Sequence, residues 1–123
     1  MIKISGIILH IVAKILKFIL GFVLWPYGIV RSLCKFQFDN WQKQLAIAED
    51  QYGNALGKYL FNDVLITKES KNKFGNIDET ISSVLGKNKK AGTLTRLGLI
   101  VANLLDKIDP NHVEKAIDET ENY

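Results

Sequence analysis

The chain has 123 residues, of which 47% are hydrophobic, and a formal net charge of +3. This length favours one small domain, and the single cysteine, Cys34, excludes the class of small proteins held together by internal disulfides. The first 38 residues contain five basic side chains and no acid, whereas the last 18 contain six acids and two lysines. The modest net charge therefore conceals a basic, apolar beginning and an acidic end.

Residues 4–30 form an apolar stretch that contains no acid and only two lysines, Lys14 and Lys17. A membrane-spanning helix needs about 20 predominantly apolar residues. The stretch therefore predicts a membrane-embedded helix, within a membrane segment that covers residues 1–38. A cleaved signal peptide is disfavoured, because both lysines fall inside the apolar core and no small-x-small cleavage site follows it.

The polar residues of this segment share one side of the predicted helix. At 100° per residue, Lys3, His10, Lys14 and Lys17 project within roughly 60° of one another. Three arrangements fit such a stripe. The helix lies in the interface, or it spans with the stripe towards partner helices or water, or the lysines snorkel while residues 18–30 insert more deeply. The wide apolar arc favours insertion, and the stripe suggests an oligomer.

Three further residues are predicted to anchor the segment together with Lys14 and Lys17. Trp25 and Tyr27 have amphipathic rings, which favour the boundary between membrane and water. Pro26 lacks a backbone donor and predicts either a kink or a hairpin at this point of the helix.

Residues 39–123 are predicted to form a small helical domain that begins with a long helix. Asp39 is the expected N-cap of that helix. Apolar side chains then recur at spacings of three and four residues, which is the period of a helical seam: Trp41, Leu45, Ala48, Tyr52, Ala55 and Tyr59. The seam packs inside the domain or forms an oligomer contact, and Gly53 and Gly57 would let another helix approach closely.

Shorter helices are expected after a polar, basic loop at residues 67–75. The first of them is predicted to open at Asp78 as its N-cap and to end at Gly86. A basic turn at residues 87–92 then leads to Thr93, the expected N-cap of the next helix.

That next helix is clearly amphipathic, and a last short helix is predicted to follow, with Asp109 as N-cap and Pro110 in its first turn. The amphipathic helix is expected to bury one stripe of apolar side chains: Leu94, Leu97, Val101, Leu104, Leu105 and Ile108. Residues 118–123 are expected to be a frayed tail. No strand-like alternation is present. The predicted fold class is therefore all-α, with an N-terminal membrane-embedded helix followed by a small helical domain of about four helices.

Few side chains outside the membrane segment are candidates for chemistry. Asp78, Glu79 and His112 could hold a metal only if folding brings them together, because metal ligands usually come in sets of three or four. A catalytic serine, Ser82 or Ser83, would need a nearby base and an oxyanion site. The sequence favours a structural role, in which Asp78 and Glu79 stabilise a first helical turn.

A basic cluster is the second candidate site, and it contains Lys87, Lys89, Lys90 and Arg96. Clustered basic side chains suit phosphate groups, and here the headgroups of anionic lipids are the preferred ligand. Nucleic acid is disfavoured because no aromatic residues are interleaved with the basic ones. An ordinary solvated surface is favoured over either ligand, with anionic lipid next.

Residues 76–117 contain the block Asp78-Glu79-Thr80-x-Ser82-Ser83, a basic stretch behind it, and the ending Asp109-Pro110-x-His112. In these motifs the segment resembles small tailed-phage and prophage proteins. The resemblance implies that the residues shared with that family are Asp78, Glu79, Thr80, Ser82, Ser83 and His112. Val113 stands where the relatives often carry Cys, which weakens any joint role of His and Cys. The family has no established activity, so the resemblance implies a phage origin only.

The predicted function is that of a phage-encoded, membrane-anchored protein without enzymatic activity. It is structural in a virion membrane, or it acts on the host membrane in lysis or in exclusion of other phages. Its expected partners are membrane lipid and further copies of itself or other membrane or virion proteins, and no cofactor or metal is expected. The alternative is a membrane-tethered, metal-dependent enzyme that uses Asp78, Glu79 and His112.

Overall fold

The computed structural model describes residues 4–120, and within this range the chain contains six α-helices and no strand. The helices are α1 (Ile4–Cys34), α2 (Phe38–Leu56), α3 (Lys58–Val64), α4 (Ile81–Ala91), α5 (Arg96–Ile108) and α6 (His112–Lys115). The predicted all-α class, with a long apolar helix followed by a small helical domain, is confirmed. Lys3 of the polar stripe and the last three residues of the acidic tail lie outside the described range.

The chain divides into two compact units, Met1–Lys43 and Gln44–Tyr123. The division falls inside α2 rather than after residue 38, where the sequence placed the end of the membrane segment. Each unit is therefore described by itself.

Helix α1 is continuous for 31 residues, with Pro26 inside it. Of the two alternatives predicted at this position, a kink or a hairpin, the hairpin does not form. Pro26 costs the helix the one hydrogen bond that its missing N–H would have donated to Phe22, four residues earlier. A hairpin would instead leave several backbone groups without partners at each of two new helix ends. One lost hydrogen bond is the smaller cost.

A tight turn ends α1 and starts α2. Phe36 adopts a left-handed conformation with φ of 56°. Its N–H donates to the Leu33 carbonyl at 3.1 Å, and the Gln37 N–H donates to the Ser32 carbonyl at 2.8 Å. This is the Schellman arrangement, which satisfies carbonyls left free at a helix end. Phe36 occupies the position that glycine usually takes.

The first turn of α2 belongs to the same unit as α1. Asp39 was predicted as the N-cap, but the helix begins at Phe38 and Asp39 lies inside its first turn, 2.8 Å from Lys43. Trp41 packs on Gly28 of α1, where a Cβ atom would lie 2.4 Å from the indole ring. Gly28 is therefore required for this contact.

The apolar seam predicted along α2 does not form the contact surface of the second unit. Tyr52 and Tyr59 are exposed, and the side chain that is fully buried on α2 is Asn54. Polar residues turn inward because they bond to backbone groups of the following loop, as described below. Close helix approach is confirmed at Gly53, whose missing Cβ would lie 3.1 Å from Ile81 of α4, but not at Gly57, where the space is filled by Phe61 of the adjoining helix α3.

A small apolar core lies where α3, α4, α5, α6 and the loop after α3 meet. Its buried members are Leu65, Ile66, Phe74, Val84, Leu85, Ala102 and Val113. Phe74 is fully buried although it lies in the predicted polar loop, and its ring meets that of Phe61 edge to face at 5.4 Å. An isolated antiparallel bridge between Ile66 and Leu94 joins the two loops that border this core.

The ends of α4 differ from the prediction. The N-cap is Thr80 rather than Asp78, and the Thr80 side chain accepts a hydrogen bond from the Ser83 N–H at 3.0 Å. Gly86 does not end the helix. It lies inside α4, where its missing side chain lets α6 come close. A Cβ at this position would lie 2.0 Å from the Val113 carbonyl oxygen of α6. The helix ends at Gly92, with φ of 71°, so most of the predicted basic turn is helical.

Helix α5 is also shifted relative to the prediction. Its N-cap is Thr95 rather than Thr93, and Asp109 ends this helix as its C-cap instead of starting the next one. Asn111, with φ of 60°, precedes α6. The residues of α5 that are fully buried are Gly98 and Ala102, whereas much of the predicted buried stripe is exposed.

Candidate functional site

Residues 78–83 lie at the N-terminal end of α4. Thr80 caps the helix through its own side chain, and a second cap comes from Asp50 of α2, whose Oδ1 accepts the Ile81 N–H at 2.7 Å. Both oxygens satisfy amides that have no partner inside the helix, and the carboxylate is also favoured by the helix dipole. Asp50 joins α2 to α4 at this point.

Ser82, His112 and Asp109 form a chain of hydrogen bonds beside this cap. The Ser82 Oγ lies 3.1 Å from His112 Nε2, and His112 Nδ1 lies 3.1 Å from Asp109 Oδ2. Lys115 contacts the other carboxylate oxygen of Asp109 at 2.9 Å. The hydrogen bonds from Lys115 and then from His112 hold the pKa of Asp109 below its ordinary value.

The order serine, histidine, aspartate is that of a nucleophilic triad, but the surroundings of Ser82 oppose nucleophilic chemistry. The Ser82 Oγ also lies 3.2 Å from Asp50 Oδ2. A carboxylate at that distance opposes the negative charge that develops on an attacking oxygen. Ser82 is moreover only 4% exposed, so a substrate carbonyl has little access. The arrangement instead connects α2, α4 and α6.

A second cluster surrounds Glu79 and Ser83, which are both buried. The Ser83 hydroxyl donates to Glu79 Oε2 at 2.6 Å and accepts the Asp118 N–H at 2.9 Å. Lys87, one turn further along α4, lies 2.5 Å from the same Glu79 oxygen. The cluster therefore ties the segment before α4 and the segment after α6 to the helix itself.

The predicted metal set of Asp78, Glu79 and His112 is not brought together. Asp78 is exposed, Glu79 is occupied by Ser83 and Lys87, and the imidazole of His112 is hydrogen-bonded to Ser82 and Asp109. Residues 4–120 contain no group of three histidine, cysteine or acidic side chains that could hold a metal ion. The geometric basis of the metal-dependent alternative is therefore missing.

Comparison with protein-family models, with curated proteins and with solved structures found no match for this chain. The resemblance of residues 76–117 to small tailed-phage proteins therefore stays a prediction.

Three asparagines that the sequence analysis did not single out hold the loop between α3 and α4 in place. Asn54 donates to the carbonyls of Asn76 and Glu79 at 3.0 and 2.7 Å and accepts the Gly75 N–H at 2.9 Å. Asn62 exchanges two hydrogen bonds with the backbone of Phe74. These amides provide both donors and acceptors, which an aspartate could not.

Asn88 of α4 holds the earlier part of the same loop. Its Nδ2 donates to the carbonyl of Asn72 at 2.8 Å, and its Oδ1 accepts from the hydroxyls of Ser70 and Thr93. No local sequence period marks Asn88 as a loop contact, because Asn72 and Ser70 lie 16 and 18 residues away from it along the chain. The positions of Glu79 and Thr80 depend on these loop contacts.

The predicted basic cluster is partly used within the protein. Lys87 is paired with Glu79, and Lys89 lies 2.7 Å from Asp106 of α5. Lys90 and Arg96 are exposed. Lys87 and Lys90 border a shallow cleft that Glu119 also lines. A carboxylate in the cleft weakens its suitability for phosphate.

The five predicted anchoring residues, Lys14, Lys17, Trp25, Pro26 and Tyr27, are all exposed on α1. Most of the large apolar side chains of this helix are exposed as well. Helix α1 is long and apolar enough to cross a membrane by length and composition. It is therefore the strongest functional feature of the chain.

Proposed function

We infer that this is a membrane-anchored, non-enzymatic protein of phage origin, which is structural in a virion membrane or acts on the host membrane in lysis or exclusion. The observation that carries the anchoring is α1. Its 31 residues correspond to roughly 46 Å, which exceeds the hydrocarbon thickness of about 30 Å. Its apolar window has a mean hydropathy of 2.3, and none of that window is buried by the rest of the chain.

The lysines of α1 support an oligomeric arrangement. A lysine at the centre of a spanning helix costs about 2.5–3.5 kcal/mol on insertion scales. Lys14 and Lys17 lie three residues apart, on one side of the helix, so a second copy or another membrane protein could shield both from lipid. The continuous helix supports this arrangement better than two short re-entrant segments would.

The absence of enzymatic activity is supported by the cluster at α4. Its one serine–histidine pair has a carboxylate, Asp50, against the serine oxygen, and the serine is buried. Ser82 contacts Asp50 of α2 and His112 of α6, and Ser83 accepts the Asp118 N–H. The cluster therefore acts as the joint that holds α2, α4 and α6 together.

Membrane fractionation tests the anchoring. The full chain and a chain lacking residues 1–38 are expressed in bacteria, and the membranes are washed with high salt and then at alkaline pH. We expect the full chain to resist both washes and the shortened chain to be absent from the membrane fraction. Release of the full chain by salt alone would mean peripheral attachment and would contradict insertion.

The phage role and the oligomer are tested separately. Detection in purified virions would favour the structural role, and detection only in membranes of infected cells would favour action on the host. Cross-linking through Cys34, which is free and exposed, reports association of α1. Replacing Lys14 and Lys17 with Leu should keep the protein inserted but change the cross-linked species. An unchanged pattern would argue against the stripe as a contact surface.

A further inference from the structure

The outer face of α5 carries a row of exposed apolar side chains. Leu97, Ile100, Leu104 and Ile108 are 49%, 58%, 58% and 76% exposed. Their spacings of three, four and four residues place them on one face of the helix. We call these four residues the outer row.

The outer row is exposed because smaller residues make the contact with the core. Gly98 lies against the Leu65 carbonyl, where a Cβ would approach to 2.1 Å, and Ala102 is fully buried. These two positions fix the rotation of α5, so most of the larger side chains face away from the domain. Isolated exposed apolar residues are ordinary, but a contiguous row along a helix marks an interaction surface.

The charged side chains that α5 itself exposes have one sign. Arg96 and Lys107, near the two ends of α5, are exposed. The acid of this helix, Asp106, turns inward, where its Oδ2 contacts Lys89 at 2.7 Å and its Oδ1 accepts the Val113 N–H at 3.0 Å. Asp109, which follows the row, is exposed but is paired with Lys115 at 2.9 Å. The exposed charged side chains of α5 are therefore basic, and they suit an anionic partner.

This charge pattern discriminates between possible occupants. Two copies that met through the outer row would bring the basic residues of both helices together, which opposes a symmetric dimer. An anionic bilayer surface offers apolar chains for the row and phosphate groups for Arg96 and Lys107. The domain is also covalently joined to α1 along the chain, so a bilayer that holds α1 raises the local concentration of lipid that the domain meets.

We propose that α5 is an interfacial helix, in which the outer row enters the headgroup region of an anionic bilayer and Arg96 and Lys107 contact lipid phosphates. The inference rests on the proposed anchoring by α1 and adds a second membrane contact. The small domain then lies against the bilayer surface instead of projecting freely from it.

The test uses the full chain reconstituted in vesicles. In a Cys34→Ser background, an environment-sensitive fluorophore is attached to Leu104→Cys, or to Asn103→Cys as the matched control on another side of the same helix. Quenching by lipids that carry a spin label on the acyl chain, below the phosphates that Arg96 and Lys107 contact, is measured in phosphatidylcholine with phosphatidylglycerol and in phosphatidylcholine alone. We expect strong quenching at position 104 in the anionic vesicles and little at position 103.

A second variant tests the charges. Replacing Arg96 and Lys107 with Gln should lower the ratio of docked to undocked domain by about 30-fold, because each basic residue near an anionic surface contributes about fivefold. Equal quenching at positions 103 and 104 would overturn the proposal. So would fluorophore burial that disappears on dilution of protein in the bilayer, which would indicate a second copy.

An alkaline wash of the same vesicles separates this inference from the anchoring. If position 104 stays in water while the chain resists the wash, the contact of α5 is refuted and the anchor is retained. If the chain leaves the vesicles, both proposals fail together.

Discussion

Helix α1 and the unit Gln44–Tyr123 place their polar side chains in opposite ways. Along α1 nearly every large apolar side chain is exposed, and the one buried residue is Ser32. In the second unit, the described residues include seven buried apolar side chains and six buried polar ones, Asn54, Ser70, Glu79, Ser82, Ser83 and Asn88. The first region needs an apolar environment from outside, whereas the second depends on hydrogen bonds formed inside it.

This difference has a consequence for mutation. The backbone of a helix is satisfied within the helix, so single side-chain changes in α1 act mainly on its surface. In the second unit, the buried amides of Asn54 and Asn88 each bond two or more backbone groups, and a buried group that loses its partner costs about 1–3 kcal/mol. The two regions should therefore respond very differently to the same kind of substitution.

The largest expected effect is that of Asn54→Ala. The change leaves the N–H of Gly75 and the carbonyls of Asn76 and Glu79 without the side chain that bonds them. At about 1–3 kcal/mol for each buried group, the second unit should lose roughly 3 kcal/mol or more. Hydrogen exchange of the full chain in detergent micelles measures the loss at the amides of α4.

The control for this substitution is Asn103→Ala, which removes an exposed asparagine from α5. It should change exchange in α4 little, and neither variant should change exchange in α1. If Asn54→Ala left α4 as protected as before, the buried amide would not be the support that its three hydrogen bonds indicate.

Replacing one glycine with alanine in each region should change stability by an intermediate amount, with a loss in the second unit and a gain in α1. Gly86→Ala would place a Cβ 2.0 Å from the Val113 carbonyl, so α6 has to shift at a cost of about 1–3 kcal/mol. Gly21→Ala in α1 meets nothing within 4 Å, and it should favour the helix by about 0.5–1 kcal/mol. Exchange of the amides in α6 and in α1 measures the two changes, and equal effects would contradict the proposed contrast.

The sequence predicted well what depends on local pattern. The long apolar helix follows from the continuous apolar stretch of residues 4–30, and the all-α class follows from the helical period behind it, and neither needs knowledge of distant residues. The period also located α5, but it could not fix the rotation of this helix. That rotation is set by the contact of Gly98 with the Leu65 carbonyl. Leu65 is the C-cap of α3, which lies far from Gly98 along the chain.

The helix caps show why the boundaries were less predictable. Several residues that can cap precede α4 and α5, and Asp78 and Thr93 were suitable by type. Thr95 caps α5 because its hydroxyl donates to the Val64 carbonyl at 2.6 Å and its N–H donates to the Leu65 carbonyl at 3.0 Å. Asp50, which supports the start of α4, lies 31 residues before Ile81. Such choices are made by tertiary contacts that no local pattern reports.

The smallest expected effect is the loss of stability when the pH is lowered. Hydrogen bonds from Lys89 and from the Val113 N–H hold the pKa of Asp106 below its ordinary value of 3.8, and the pKa of Asp118 is lowered through the Thr120 side chain and N–H. Because folding lowers these pKa values, the unfolded state binds protons more tightly. The resulting stability is present above pH 3.8 and is lost as the pH falls through the folded pKa values.

The acid effect should be confined to the second unit, since α1 contains no acid. Hydrogen exchange, corrected for its intrinsic pH dependence, should show α4 and α6 becoming less protected as the pH falls from about 5 to about 3, with α1 unchanged. Asp106→Asn keeps the shape of the side chain but removes its charge, so it should weaken the unit at neutral pH and reduce the further loss in acid. An equal acid response of the variant and the parent protein would show that the contacts of Asp106 with Lys89 and Val113 contribute nothing to the pH dependence.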